Sequence, residues 1–257
     1  MAKEIIIKGK RAQVAIWFIV AIVIVAIIAL LFFLSKKSII APKQETNPQI
    51  IIERCAKDAL EEAIDKMLPQ GGFIEPDNYK IYNNIKISYL CENIGYFKTC
   101  VNQHPLLLED MKSEILNYIE PRIDQCFLSM KDELEKKGNK VQISDMKLNI
   151  SLAPDKVSLF IERKLTISKN SVVQNFENYD VELKSPLYDL TQIAFDIVNE
   201  EVKNCYFEYV GYMLLYPRWD IQKFVLSEST IIYKIIEKKS EKEMNIAIRG
   251  CAIPPGL

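Results

Sequence analysis

RAQVAIWFIVAIVIVAIIALLFFLSKK, residues 11–37, decides how the rest of the chain is read. From Ala15 to Leu34 it runs for twenty residues without a charge. A helix rises about 1.5 Å per residue, so such a run spans the ~30 Å hydrocarbon core of a bilayer. Lipid offers backbone N–H and C=O groups no partner, so a crossing segment must be helical. Trp17 falls near one end, at the depth where interfacial aromatics collect. A core helix of a soluble protein would carry polar positions on at least one face, and this run has none. A removable secretory signal has an apolar core of roughly 7–15 residues and then a small-x-small cleavage site. Here the run is longer and closes on Phe32, Phe33, Leu34, Ser35, Lys36 and Lys37, a stop-transfer flank. The expectation is a retained transmembrane helix over 15–34, behind a short leader over 1–14 and ahead of a connector over 35–49.

Lys3, Lys8, Lys10 and Arg11 precede the run, against Lys36, Lys37 and Lys43 after it. That difference leans toward a cytoplasmic N-terminus. The cysteines lean the same way. Cys55, Cys91, Cys100, Cys126, Cys205 and Cys251 all follow the anchor, and in an oxidising compartment an even set suggests disulfides. Cys55 and Cys126 sit on the apolar faces of two expected helices. Cys91 and Cys100 flank Gly95 and could close a local loop, which leaves Cys205 and Cys251. Six cysteines allow 15 connectivities, so these pairings are expectations only.

The formal net charge of −1 supplies no basic face for nucleic acid. Eight glycines in 257 residues argue against a phosphate-cradling loop. Beyond the anchor, the periodicity predicts one extracytoplasmic domain over 50–257. Its helical part covers 50–138 and its strand-rich part 139–257. IIIERCAKDALEEAIDKML, 50–68, is an amphipathic helix stopped by PQGG. Residues 79–90 read as one strand. A second helix runs from Pro105 to about Lys137, with Pro121 expected to kink or break it. Residues 141–150 and 156–167 form a hairpin around APD at 153–155, and 172–183 is a third strand. Ser185–Pro186 opens a third helix with the stripe Leu187, Leu190, Ile193, Ala194, Ile197, Val198 and Val202. Strands over 221–228, 230–239 and 244–253 close the chain. The fold class is α+β, with segregated helices and antiparallel strands.

Catalytic signatures are missing. The single histidine, His104, stands four residues after Cys100, and Cys91 and Cys126 could complete four zinc ligands; the tight cysteine pairs of structural zinc sites are not there. There is no phosphate-loop, dinucleotide or nucleophile-elbow motif. No catalytic residue, metal or cofactor is expected. Asn149–Ile150–Ser151 fits a glycosylation sequon. YFEYVGYMLLYPRWD, 206–220, is rich in the residues of binding hot spots, so Tyr212, Tyr216, Arg218 and Trp219 are candidate partner contacts. The weightier reading of that stretch is strand and loop core.

KGKRAQVAIWFIVAIVIVAIIALLFF resembles the N-terminus of archaeal pilin-like proteins with class III signal peptides. Lys8, Lys10 and Arg11 match the basic leader, Ala12 the small residue and Gln13 the first residue after the cut. The resemblance implies cleavage between Ala12 and Gln13, with the apolar helix kept as anchor or filament stem. Trp17 takes the fifth position after the cut, where many pilins have glutamate. The whole chain looks like the single-anchored surface proteins of archaeal genomes, a likeness that implies location and no activity. The expected function is a cell-surface protein, single-pass in the cell membrane, with a structural or interaction role, pilin-like in the fullest case. Its partners would be the lipid bilayer, other proteins or its own copies. The alternative is a membrane-anchored ligand-binding or receptor-like module without catalytic activity.

Overall fold

The computed structural model describes residues 20, 22–28, 47–93, 95 and 98–250. Val20 and residues 22–28 are helical and exposed. The rest of the expected span over 15–34 lies outside the described residues, as do Ala12 and Gln13. Among the described residues no helix is long and apolar enough to cross a membrane. The chain divides into two units, Met1–Asn47 and Pro48–Leu257, and the second is an α+β domain.

Helix α1 (Pro48–Met67) buries Ile52, Ala56, Ala59, Leu60, Ala63, Ile64 and Met67, one stripe at helical spacing. A 3-10 turn (Leu68–Gln70) ends it, and Gly71 and Gly72 follow at φ 82° and 93°. The Gly72 N–H reaches back to the Met67 carbonyl at 3.0 Å, satisfying a carbonyl the helix end would leave open. A Cβ on Gly72 would stand 3.0 Å from the Met111 sulfur, so glycine here also allows close packing on the next helix.

The expected strand over 79–90 is a hairpin. β1 (Tyr79–Tyr82) and β2 (Ile85–Glu92) are joined by Asn83–Asn84, both at positive φ. Asparagine tolerates that region, which matches the twist of a two-residue hairpin turn. After β3 (Val101–Asn102) comes α2 (Leu107–Lys136). It passes through Pro121 without a break. Pro121 and Asn117, the residue whose carbonyl loses its partner, both lie on the exposed face, open to solvent. The opposite face buries Met111, Ile115, Ile119, Ile123, Phe127 and Met130.

The smaller sheet has four antiparallel strands: β4 (Lys140–Ile143), β5 (Lys147–Ala153), β6 (Lys156–Lys169) and β7 (Val172–Lys184). β4 and β5 pair with successive parts of one side of β6, and β7 covers the other. A bulge sets Arg163 and Lys164 opposite Glu177. It aims the Arg163 guanidinium at Asp124 of α2, 2.6 Å away, and over the Phe127 ring. Phe127 meets Tyr179 of β7 edge-on at 5.3 Å. Burial pushes the fully enclosed Tyr179 phenol up to about 12.

Helix α3 (Leu187–Asn204) starts where Ser185 Oγ accepts from the Leu187 N–H at 3.3 Å. The larger sheet ends the chain with β8 (Trp219–Val225), β9 (Thr230–Glu237) and β10 (Glu243–Arg249). Its order is β1-β2-β10-β9-β8, with β3 also on β2. The β2–β10 pair is parallel, against the all-antiparallel expectation. β2 is central and buries Ile87 through Cys91 without alternation, so the first half of the domain supplies a middle strand to the second half's sheet. One continuous core joins the three helices and both sheets, and a smaller cluster of Ile87, Tyr89, Ile232 and Ala247 fills the other face of the larger sheet.

Two expected bridges are present. Cys55 joins Cys126 across α1 and α2 (Cα–Cα 6.4 Å), and Cys91 joins Cys100 across the loop between β2 and β3 (Cα–Cα 5.4 Å). Cys205 is also disulfide-bonded. The expected pairing with Cys251 falls outside the described residues. No described cysteine is free.

Candidate functional site

Residues 206–218 hold no strand, although Phe207 and Trp219 of the 206–220 stretch are buried in the core. Residues Tyr209–Leu215 form a short helix, α4, and β8 begins only at Trp219. The Glu208 carboxylate accepts from the Gly211 N–H at 3.2 Å and starts the helix. Tyr209, Tyr212 and Met213 turn toward the core. Tyr212 donates to Asp196 of α3 at 3.2 Å, and its ring lies between Phe207 and Tyr216 at centroid distances of 5.4 and 4.7 Å. Burial first, and then the Asp196 carboxylate, hold the Tyr212 phenol well above its usual range. Val210, Leu214, Leu215 and Tyr216 face outward, with Leu214 81% and Leu215 76% exposed.

Arg218 and Trp219 belong to a different place. The guanidinium stacks 4.6 Å from the Trp219 ring centre, and Trp219 is buried. Arg218 Nε donates to Glu237 Oε1 at 2.9 Å, and its Nη2 bonds Asp155. Asp189 lies 3.8 Å off. Asp155 occupies the β5–β6 turn at positive φ, and its N–H donates to Asp189 at 3.1 Å. Glu237 ends β9, is nearly enclosed, and also accepts from Ser240. Arg218 thus ties a turn of the smaller sheet and the start of α3 to the edge of the larger sheet. Partial burial works against its charge, but the carboxylates outweigh that and raise its pKa.

Beside this cluster is a cavity of about 490 Å³, lined also by Lys184, Ser185, Pro186 and Lys239. Arg218 already faces three carboxylates. The Lys184 and Lys239 ammonium groups have no ion pair among the described residues, so they are the charges a ligand would meet. Of the four expected contact residues, the structure brings Tyr212 together with Tyr216, and Arg218 with Trp219, in two neighbouring places. Asp155, Glu237 and Lys239 were not singled out from sequence; each comes from a turn or strand end that only the tertiary fold brings to Arg218.

The other candidates have structural surroundings. His104 Nδ1 lies 3.3 Å from Asp110, and its ring packs on Phe73. The cysteines considered beside it as zinc ligands are bridged, and among the described residues no group of three or more potential ligands could hold a metal ion. Asn149 of the sequon is exposed on β5.

One buried acid was not expected. Glu201 takes a position on the apolar stripe of α3, after Leu190, Ala194 and Ile197, and is fully buried. Tyr233 donates to its Oε1, while Oε2 has no partner among the described residues. Burial pushes the carboxyl above its usual range, with the Tyr233 hydroxyl opposing. The signal in the sequence was an acid at a stripe position of a helix. No family model, curated protein or solved structure matches this chain.

Proposed function

We propose that this chain is a single-pass membrane protein whose 48–257 domain stands outside the cytoplasm in a structural or interaction role, with pilin-like processing between Ala12 and Gln13 as its route into an assembly. The observation that carries the reading is the bridged state of Cys55, Cys91, Cys100, Cys126 and Cys205 in the domain that follows an uncharged twenty-residue run. Cysteines of a cytosolic domain would be kept reduced, and bridges between distant helices belong to an oxidising compartment.

The test is the intact mass and N-terminal sequence of protein from native membranes, with alkylation before and after reduction. A chain starting at Gln13 with its cysteines protected from alkylation supports the pilin-like form. A start at Met1 or Ala2 with protected cysteines leaves an anchored surface protein that is not processed. Freely alkylated Cys55 and Cys126 would place the domain in a reducing compartment and end the reading. The cavity beside Arg218 favours a second reading, a module binding a small anionic ligand through Lys184 and Lys239. Thermal stabilisation by one class of small anions, lost in Lys184→Ala/Lys239→Ala, would move that reading ahead.

A further inference from the structure

We propose that α4 docks on the surface of a lipid bilayer, seating Val210, Leu214, Leu215 and Tyr216 at the level of the headgroups and the upper acyl chains. This rests on the membrane-anchored reading above. α4 is apolar on both sides: Tyr209, Tyr212 and Met213 pack inward, and the Met213 sulfur accepts from the Ile221 N–H at 3.1 Å. From Tyr209 to Tyr216, YVGYMLLY, no residue is charged. A helix on a water-exposed domain turns a polar side outward. Single exposed apolar residues are ordinary and need no account, but here the whole outer side of one element is apolar.

Size argues for the occupant. A stable protein interface engages about 20–30 residues a side, and four residues cannot hold a second copy or a soluble partner. A bilayer needs no such area when the chain is already attached to it. The segment between Leu34 and Pro48 has thirteen residues, 35–47, and reaches at most about 45 Å. A domain of this length has a radius of gyration of about 17 Å, so the tether is comparable to the domain's own diameter. It is long enough to let any face turn to the membrane and short enough to make a weak second contact intramolecular. Tyrosine suits the headgroup level, and leucine suits the acyl boundary just below.

The experiment uses the full chain reconstituted into vesicles of phosphatidylcholine and phosphatidylglycerol, labelled with a carbene probe that partitions into the lipid phase, and mapped by peptide. The peptide at the β6–β7 turn, whose Val172 and Val173 are exposed and apolar, sets the background for a surface not in contact with lipid. Labelling of 15–34 and of 206–217 above that background is the expected result. Leu214→Asp/Leu215→Asp, which changes only exposed side chains, should then bring 206–217 down to background and leave 15–34 unchanged. Labelling of 15–34 alone overturns the docking and keeps the anchor. Labelling of 206–217 alone keeps the docking and removes the anchor. Background labelling at both overturns both.

Discussion

Tyr233→Phe should destabilise the domain by removing the hydrogen bond that the Tyr233 hydroxyl gives to the buried Glu201 carboxyl. Tyr233 and Glu201 are both fully buried, Tyr233 donates to Oε1, and Oε2 has no partner among the described residues. Stranding a buried acceptor costs about 1–3 kcal/mol, and more when it is charged. Unfolding entropy of about 2.1 cal/mol/K per residue, over a domain of this size, converts that to a fall in Tm of about 2–7 °C. The pH dependence gives a second, independent readout. Burial raises the folded pKa of Glu201 above its unfolded value. The folded state therefore holds a proton that the unfolded state has already released, and stability falls as pH rises from the unfolded carboxyl range toward the folded pKa. Glu201→Gln keeps the shape and an acceptor for Tyr233 but cannot ionise. Near pH 4 it should match the parent, and with rising pH it should become the more stable of the two. Thermal melts of the full chain in nanodiscs, followed by near-UV circular dichroism from pH 4 to 8, measure both effects. Parallel curves for Glu201→Gln and parent, with a Tyr233→Phe shift under 1 °C, would refute the argument that this carboxyl is buried on one bond.

Removing Cys55–Cys126 as a serine pair should cost up to about 4.4 kcal/mol from its 71-residue loop, against about 2.6 for the nine-residue loop of Cys91–Cys100; urea midpoints decide the first value. Because Cys91 and Cys100 are buried and Cys55 and Cys126 half-exposed, mild dithiothreitol followed by alkylation and mass mapping should find Cys55 and Cys126 labelled first. Gly72→Ala should lower stability by more than about 1 kcal/mol, since φ is 93° and the new methyl meets Met111; an unchanged urea midpoint would contradict that packing. Arg218→Ala should cost roughly 1–3 kcal/mol, allowing for the solvent that reaches the guanidinium, because Glu237 stays nearly enclosed with only Ser240 left beside it. A neutral Arg218→Ala would instead mark the residue as free to serve a ligand.

The helices were legible because their stripes are long. Ile52 through Met67 and Leu187 through Val202 repeat at a spacing that only a helix turns to one side. The Cys55–Cys126 bridge was legible for the same reason, since a cysteine on an apolar face must meet what packs there, and Cys91–Cys100 was legible as a short loop closure around Gly95. Pro121 does not break α2 because its cost depends on what surrounds it: on a face open to water the freed carbonyl can be solvated, and a sequence does not show which face that is. Asn83–Asn84 does not stand out as a turn although asparagine pairs favour positive φ, because the apolar spacing continues through it. The parallel pairing of β2 with β10 joins residues more than 150 apart and leaves no local trace.

The stretch 206–220 was harder because two neighbouring roles are written in one composition. Aromatic and aliphatic residues without charge describe a core strand as well as a short helix that is apolar on both sides, and a period cannot be read from eight residues that are all apolar. What separates the two is tertiary. Met213 fills the space over β8 and leaves Leu214 and Leu215 pointing away, and Pro217 then ends the helix so that Arg218 can swing to Asp155 and Glu237. Arg218 holds the chain just past the end of α4, and the end of α4 sets which leucines stay outside. A loss of the Arg218 ties should therefore be felt at the exposed side of α4 as well as between the sheets. Hydrogen exchange over 209–216 in Arg218→Ala would show it: faster exchange there, with α1 unchanged, follows from this coupling, and an unaffected α4 would show that Glu208 and the Tyr212–Asp196 bond hold the helix unaided.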